Sequence, residues 1–374
     1  MSKSTKNANA CPIRKTSIGG QALMEGIMMR GPGKTAMAVR NPQGEIVVEE
    51  CQFSTKKRPA IFRWPFIRGV FGFIDSMTLG YKCLMRSAEI SGLEEIEAEM
   101  EKEKAEKKAA KKAAKAAKKA GKSATPTTVA EKPITKSTPE NTTDSTTDNA
   151  DSSAKEEKKG TSSTTTAIMI FSVIFAVVIM VGLFIWLPTF LYKDVLEKYV
   201  PWMPKGNRFL QSVFEGVLRV LFLVGYMGLM CLMKDIRRTY QYHGAEHKTI
   251  FCYEHGLELT VENVRKQKRF HPRCGTSFLI LMMLVSILVG FFIPASLDTW
   301  LRVIIKLLLV PVIMGVGFEL IKLCGRYDNW LTRIISFPGV ALQHITVLEP
   351  DDSMIECAIT AMKEVIPNDG SDAW

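Results

Sequence analysis

Residues 167–187 read AIMIFSVIFAVVIMVGLFIWL, a run from Ala167 to Leu187 without a single charge. A helix rises about 1.5 Å per residue, so this run crosses the ~30 Å hydrocarbon layer of a bilayer. The charge-free stretch is longer still, from Gly160 to Tyr192, and a second runs from Gly275 to Leu297. Two such stretches exclude a purely soluble reading of the 374-residue chain. Its near-zero mean hydropathy suggests solubility only because very polar and very apolar segments cancel.

Working outward, Ser277 to Ala295 is a second clear span. Phe209 to Met233 is weaker, interrupted by Glu215 and Arg219, and Val303 to Cys324 holds Lys306 and Glu319. Their lengths suit crossing, so the sequence predicts a mainly α, polytopic membrane protein with four transmembrane helices in two pairs, 167–233 and 277–324. Glu215 and Arg219 stand four apart and can pair on one helix face. Lys306 can snorkel, and Glu319 is placed to face the bundle interior beneath the loop at 234–276. The connections 191–208 and 296–302 carry four basic residues and one, whereas the 234–276 loop carries nine. The positive-inside rule therefore puts both termini, that loop and the 325–374 tail, which holds a short helix, in the cytoplasm. The N-terminus is polar, without an early apolar run that would suggest a cleaved leader. None of the eight cysteines falls in the two connections on the other side, so no disulfide framework is expected.

Before the spans, residues 13–93 read as a small N-terminal β unit followed by a helix. Thr35 to Arg40 and Glu45 to Glu50 flank Asn41-Pro42-Gln43-Gly44, turn chemistry between two extended runs. From 60 to 90, aromatic residues mix with Arg63, Arg68, Lys82 and Arg86, which suits a helix lying in the membrane interface or one packed on the spans. Residues 94–166 form a low-complexity insert. Glu94 to Lys122 is Ala, Lys and Glu, a solvated helix by propensity, and Thr125 to Thr166 is too polar to build a core.

The 234–276 loop carries the chemistry. Tyr242-His243-Gly244-Ala245-Glu246-His247-Lys248 contains H-x-x-E-H. On a helix, His243 and His247 share a face and can meet one metal ion, with Glu246 placed as a catalytic base for metal-bound water. His271-Pro272-Arg273-Cys274 adds an imidazole and a thiol, both zinc ligands. Four ligands, His243, His247, His271 and Cys274, describe a closed structural site, and three with Glu246 free describe a hydrolytic one. Glu254, Cys252 and His255 compete for the third position.

The chain resembles the YqhQ family of bacterial membrane proteins. The likeness rests on Gly19-Gly20-Gln21-Ala22-Leu23-Met24-Glu25-Gly26-Ile27-Met28-Met29-Arg30-Gly31-Pro32 and on Tyr242-His243-Gly244-Ala245-Glu246-His247-Lys248-Thr249. Leu259 to Val264, His271 to Ser277 and Glu349-Pro350-Asp351-Asp352 extend it, in the family's order. The resemblance covers residues 13–93 and 167–366. Family members are sometimes labelled metal-dependent enzymes, with no substrate attached. The resemblance implies a bacterial inner-membrane protein in which the N-terminal and loop motifs form one unit, so that Glu25 and Arg30 join Glu319, a candidate as a charge inside a span, as supporting residues.

Three functions follow as expectations. The first is a hydrolase acting on a membrane-associated peptide or lipid with a cytoplasm-facing divalent metal, zinc by its ligands. The second is a scaffold or assembly factor with a structural metal, and the third a transporter, which with four spans would work as a homo-oligomer. The net charge of +11 invites a nucleic-acid partner, but no nucleic-acid module is present and the basic residues flank the spans. Anionic lipid at the cytoplasmic face is their expected partner.

Overall fold

The β unit holds two strands more than the pair the sequence names. The computed structural model describes residues 15–51, 64, 67–92, 163–202, 204–327 and 329–373, and its first element is a four-stranded antiparallel meander in the order β1 (Gly19–Leu23), β2 (Gly26–Arg30), β3 (Thr35–Arg40), β4 (Ile46–Glu50). The predicted β3–β4 hairpin is present. Asn41 Oδ1 accepts from Glu45 N–H at 2.8 Å, and Gly44 takes the left-handed conformation at φ 89. β1 and β2 were not separated from their turns in the sequence, because glycine-rich strands carry little β propensity.

Period-two alternation lets this sheet bury both faces. Ile27, Met29, Ala36 and Ala38 join one core with Tyr242, Ala245, Met354, Ala358 and Met362. These come from α4 (Lys234–Glu254) and α10 (Asp352–Val365). Leu23, Met28, Met37 and Val39 face the other way, onto Leu79 and Cys83 of α1 (Ile67–Ile90). Each such buried side chain contributes roughly 1.5–3 kcal/mol. α1 also packs on α8 (Val310–Arg326), with Arg68 paired to Glu319 and Gly69 against Phe318, while Ile74, Met77, Tyr81 and Met85 stay exposed.

α2 (Ser163–Val181) continues through π-helical turns at Gly182–Trp186 and Leu191–Leu196 to Tyr199. Its first turn includes Thr164 to Thr166, which the sequence had placed in the unstructured part of the insert. The rest of the insert, with its Ala/Lys helix, lies outside the described residues. α3 (Arg208–Met230) follows, then α4, α5 (Val261–Arg265), α6 (Gly275–Gly290), α7 (Thr299–Leu308), α8, α9 (Trp330–Thr346) and α10. α6 lies against α3, α8 and α9. By contact, residues 1–96 and 178–374 form one unit and 97–177 another.

The expectation of four spans is met in part. Among the described residues two helices, Phe171–Tyr199 and Arg208–Met230, are long and apolar enough to cross a membrane, and α7 with α8 makes a third only if the pair counts as one span bent by 46°. Pro311 stands in the first turn of α8, where a missing N–H is tolerated but cannot extend α7. α6 stops at Gly290, short of the span expected to Ala295, because Pro294 follows closely. The 325–374 tail holds α9 besides the expected short helix α10.

Candidate functional site

Close approach of three chain segments onto α4 builds the site. Gly244 has no side chain, and a Cβ there would run into the Leu348 carbonyl oxygen. The segment after α9 therefore lies directly on α4, with Leu348 N–H donating to Tyr240 O at 2.9 Å. That placement brings the Thr346 carbonyl to His243 Nδ1 at 3.0 Å. One turn on, His247 Nδ1 meets the Arg269 carbonyl at 2.5 Å. A carbonyl only accepts, so both rings carry a proton on Nδ1 and turn Nε2 inward. The third segment is β1: a Cβ on Gly20 would stand 3.0 Å from the Glu246 carboxyl carbon, and the Gly20 N–H donates to that carboxylate.

Cys274, the N-cap of α6, completes the cluster. Its Sγ lies 3.1 Å from His243 Nε2, and one ligand atom each from His243, His247 and Cys274 falls within 4.8 Å of the others. His247 and Cys274 are buried, and His243 is partly exposed. Burial pushes the Cys274 thiol up, but His243 and His247 outweigh it and hold the thiol well below its ordinary value. Burial alone would lower the His243 pKa, yet the Cys274 thiolate and Glu246 raise it to about 9. Glu246 is raised, chiefly by burial, with the two imidazoles opposing. Its Oε2 is buried without a hydrogen-bond partner. The donor set therefore fits a divalent ion held through two imidazoles and a thiolate, with the Glu246 carboxylate in electrostatic range of all three.

His271 stands outside this trio. Its Nε2 lies 3.6 Å from Glu254, and its Nδ1 accepts from Arg273 N–H at 3.2 Å. Glu254 pairs with Arg273 and accepts from Thr16 N–H. Cys252 is buried in the sheet core, and His255 bonds Gln267 at 2.8 Å. A cavity of about 280 Å³ opens beside His271, lined by Lys15, Glu254, Arg273 and Arg333, and not at the trio.

The supporting residues are separate from the cluster. Glu25, in the left-handed conformation at φ 50 in the β1–β2 turn, takes Arg238 through both oxygens at 2.5 and 2.6 Å and accepts from the Tyr242 hydroxyl at 3.2 Å. It thereby fixes the sheet to α4. Arg30 is exposed, with Ser76 at 3.5 Å, and Glu319 is paired with Arg68. Sequence reasoning missed Lys248, which is buried and bonded to Glu349 and to the Arg265 carbonyl. The Glu349-Pro350-Asp351-Asp352 motif was the available signal, since Glu349 takes Lys248 and Asp352 takes Arg265.

Comparison with known proteins adds the family. The family described as "Protein of unknown function (DUF1385)" matches residues 64–368. "Uncharacterized protein YqhQ" of Bacillus subtilis (strain 168) is 39% identical over 157 residues, 42% of this chain and 49% of its own length. The chain thus spans about half the length of this curated relative. No solved structure matches.

Proposed function

The chain belongs to the DUF1385 family, the YqhQ family of the resemblance above, and on that premise we propose that His243, His247 and Cys274 hold one divalent metal ion, zinc by ligand type, with Glu246 as the base beside it. The observation that carries the reading is the convergence of one ligand atom each from His243, His247 and Cys274 within 4.8 Å, with the buried, unpartnered carboxylate oxygen of Glu246 in electrostatic range of all three. Nitrogen and sulfur donors suit zinc, and three protein ligands leave a fourth position for water or substrate. When bound, the ion would supply Lewis acidity and a more acidic water. The protein's own part is positional. The Thr346 and Arg269 carbonyls orient the two rings, and Glu246, already raised in pKa by burial, accepts a proton.

The reaction class this fits is hydrolysis of a membrane-associated peptide or lipid. The basic residues of 234–276 favour the cytoplasmic face of a bacterial inner membrane, with anionic lipid as the neighbouring surface. A second reading, a scaffold whose metal only pins the loop, is favoured by the burial of His247 and Cys274. The test is metal content by mass spectrometry on detergent-purified protein. Wild type is expected to carry about one equivalent, and His243→Ala and Cys274→Ala to lose it. A metal-free wild type ends both readings. Glu246→Gln separates them in a deletion strain. Retained metal with lost complementation supports catalysis, and retention of both supports the scaffold.

A further inference from the structure

The helical bundle holds a second polar cluster, around Glu215, and its charges do not balance. Glu215, 2% exposed, faces Arg219 at 3.2 Å, Lys306 in direct contact and Arg302 at 3.8 Å. Three cations against one carboxylate leave +2 in an apolar bundle, where uncompensated charge is costly. Glu215 is already fully engaged. Its Oε2 takes Arg219 and Lys306, and its Oε1 accepts from Gln211 at 3.0 Å and faces Arg302 Nε at 3.8 Å, beyond hydrogen-bond reach. Glu197 accepts from Gly206 N–H and lies within electrostatic range of Arg302 without an ion pair to it, so it offsets part of that excess and leaves the cations in the majority.

Arg302 carries the argument further. It is 0% exposed. Its Nη1 donates to the Pro294 carbonyl at 2.8 Å, while Nε and Nη2 have no hydrogen-bond partner. Those two atoms form the edge of a guanidinium that grips a carboxylate or phosphate with two parallel bonds. At four other arginines the same edge is filled, Arg68 by Glu319, Arg86 by Glu49, Arg238 by Glu25 and Arg265 by Asp352, while Arg40 leaves only its Nε without a partner. The Tyr192 hydroxyl, also buried, lacks a partner too, and lies within electrostatic range of Arg302. An open cavity lined by Lys193, Glu197, Arg208 and Pro294 reaches the residue whose carbonyl Arg302 holds, though not Arg302 itself.

The geometry points to a binding site for one phosphate oxyanion, held by the Nε–Nη2 edge of Arg302 and the Tyr192 hydroxyl and balanced by Lys306 and Arg219. It lies near the start of α3. Glu215 is about 22 Å along the helix axis from Met230, at the end that leads to the His243 cluster. The site is therefore independent of the metal reading. The oxyanion has two sources, a lipid phosphodiester headgroup or free phosphate.

Full-length protein in maltoside micelles is titrated with sodium phosphate, with phosphatidylglycerol and with phosphatidylcholine, against chloride at equal ionic strength, and its thermal midpoint is followed. A saturable rise with phosphate assigns the free ion, and a rise with phosphatidylglycerol above phosphatidylcholine assigns the headgroup. Arg302→Gln is expected to weaken the effect about ten- to hundredfold in concentration. Glu215→Gln removes the competing carboxylate and is expected to tighten it, measured from that variant's own unliganded midpoint. No saturable rise over chloride, equal rises with both lipids and none with phosphate, or an effect untouched by Arg302→Gln overturns the site. If Arg302→Gln does not fold, Glu215→Gln decides: tightening upholds the site, and no change or weakening overturns it.

Discussion

Beside the sheet, buried polar side chains lean on backbone. His243 and His247 reach the Thr346 and Arg269 carbonyls, Gln343 bonds the backbone of His271 through both its amide atoms, and Lys248 reaches the Arg265 carbonyl. In the helical bundle the backbone is occupied by its own helices, so charges must turn to one another. The exceptions locate the breaks. Pro188 cannot donate to the carbonyl four residues back, and that Phe184 carbonyl takes Arg219 at 2.8 Å instead. Arg302 reaches the Pro294 carbonyl, beyond the end of α6. The difference teaches that loop-rich regions can settle a buried polar group with carbonyls as well as with counter-charge, as at Glu254 and Lys248, whereas a bundle relies on counter-charge and here runs short of acidic groups.

The contrast breaks most visibly at Glu215. Glu215→Leu is expected to destabilise the protein by about 3–5 kcal/mol, because it strands three buried cations. Lys306→Met is expected to cost clearly less, since cations are in excess, and chemical denaturation in detergent compares the two. Beside the sheet the weak point is backbone approach rather than charge. Gly244→Ala should cost about 3 kcal/mol by forcing Leu348 off α4, and should weaken metal retention along with it. A smaller, pH-dependent effect belongs to Glu254. Burial alone would raise this carboxyl, but His271, Arg273 and the Thr16 N–H hold it at about 2 against an ordinary 4.5. Its folded pKa is thus depressed. The stability it contributes, about 3 kcal/mol at most, is complete above pH 4.5 and is lost as pH falls toward 2. Denaturation midpoints at pH 6, 4 and 3 should fall in wild type and be flatter in Glu254→Gln. Arg30→Ala, at an exposed residue, should stay within about 0.5 kcal/mol.

Apolar runs and helical spacing were legible in the sequence where a single element decides the outcome. The Ala167–Leu187 run lies on a long helix, and H-x-x-E-H puts its two imidazoles together. What escaped depends on contacts distant in sequence. Hydropathy does not show that α6 ends at Gly290 or that α7 and α8 bend apart at Pro311. Spacing near Cys274 could not tell that His271 turns toward Glu254, because Arg273, Thr16 and Glu254 assemble there from three parts of the chain. The sequence carries no sign of what the glycines at 20 and 244 approach, which is Glu246 and Leu348.

Thr16 also bonds Asp372, 2.7 Å from hydroxyl to carboxylate, and pairs across a bridge with Ala373. Residues near the two ends of the sequence are therefore neighbours, while the Ala/Lys-rich insert interrupts the chain between α1 and α2. A circular permutant, with residue 373 joined to 15 by a short linker and new termini cut inside 94–166, would keep every contact that builds the His243 cluster. In that order α2 to α10 would be synthesised first, and the sheet with α1 would follow as a closing segment.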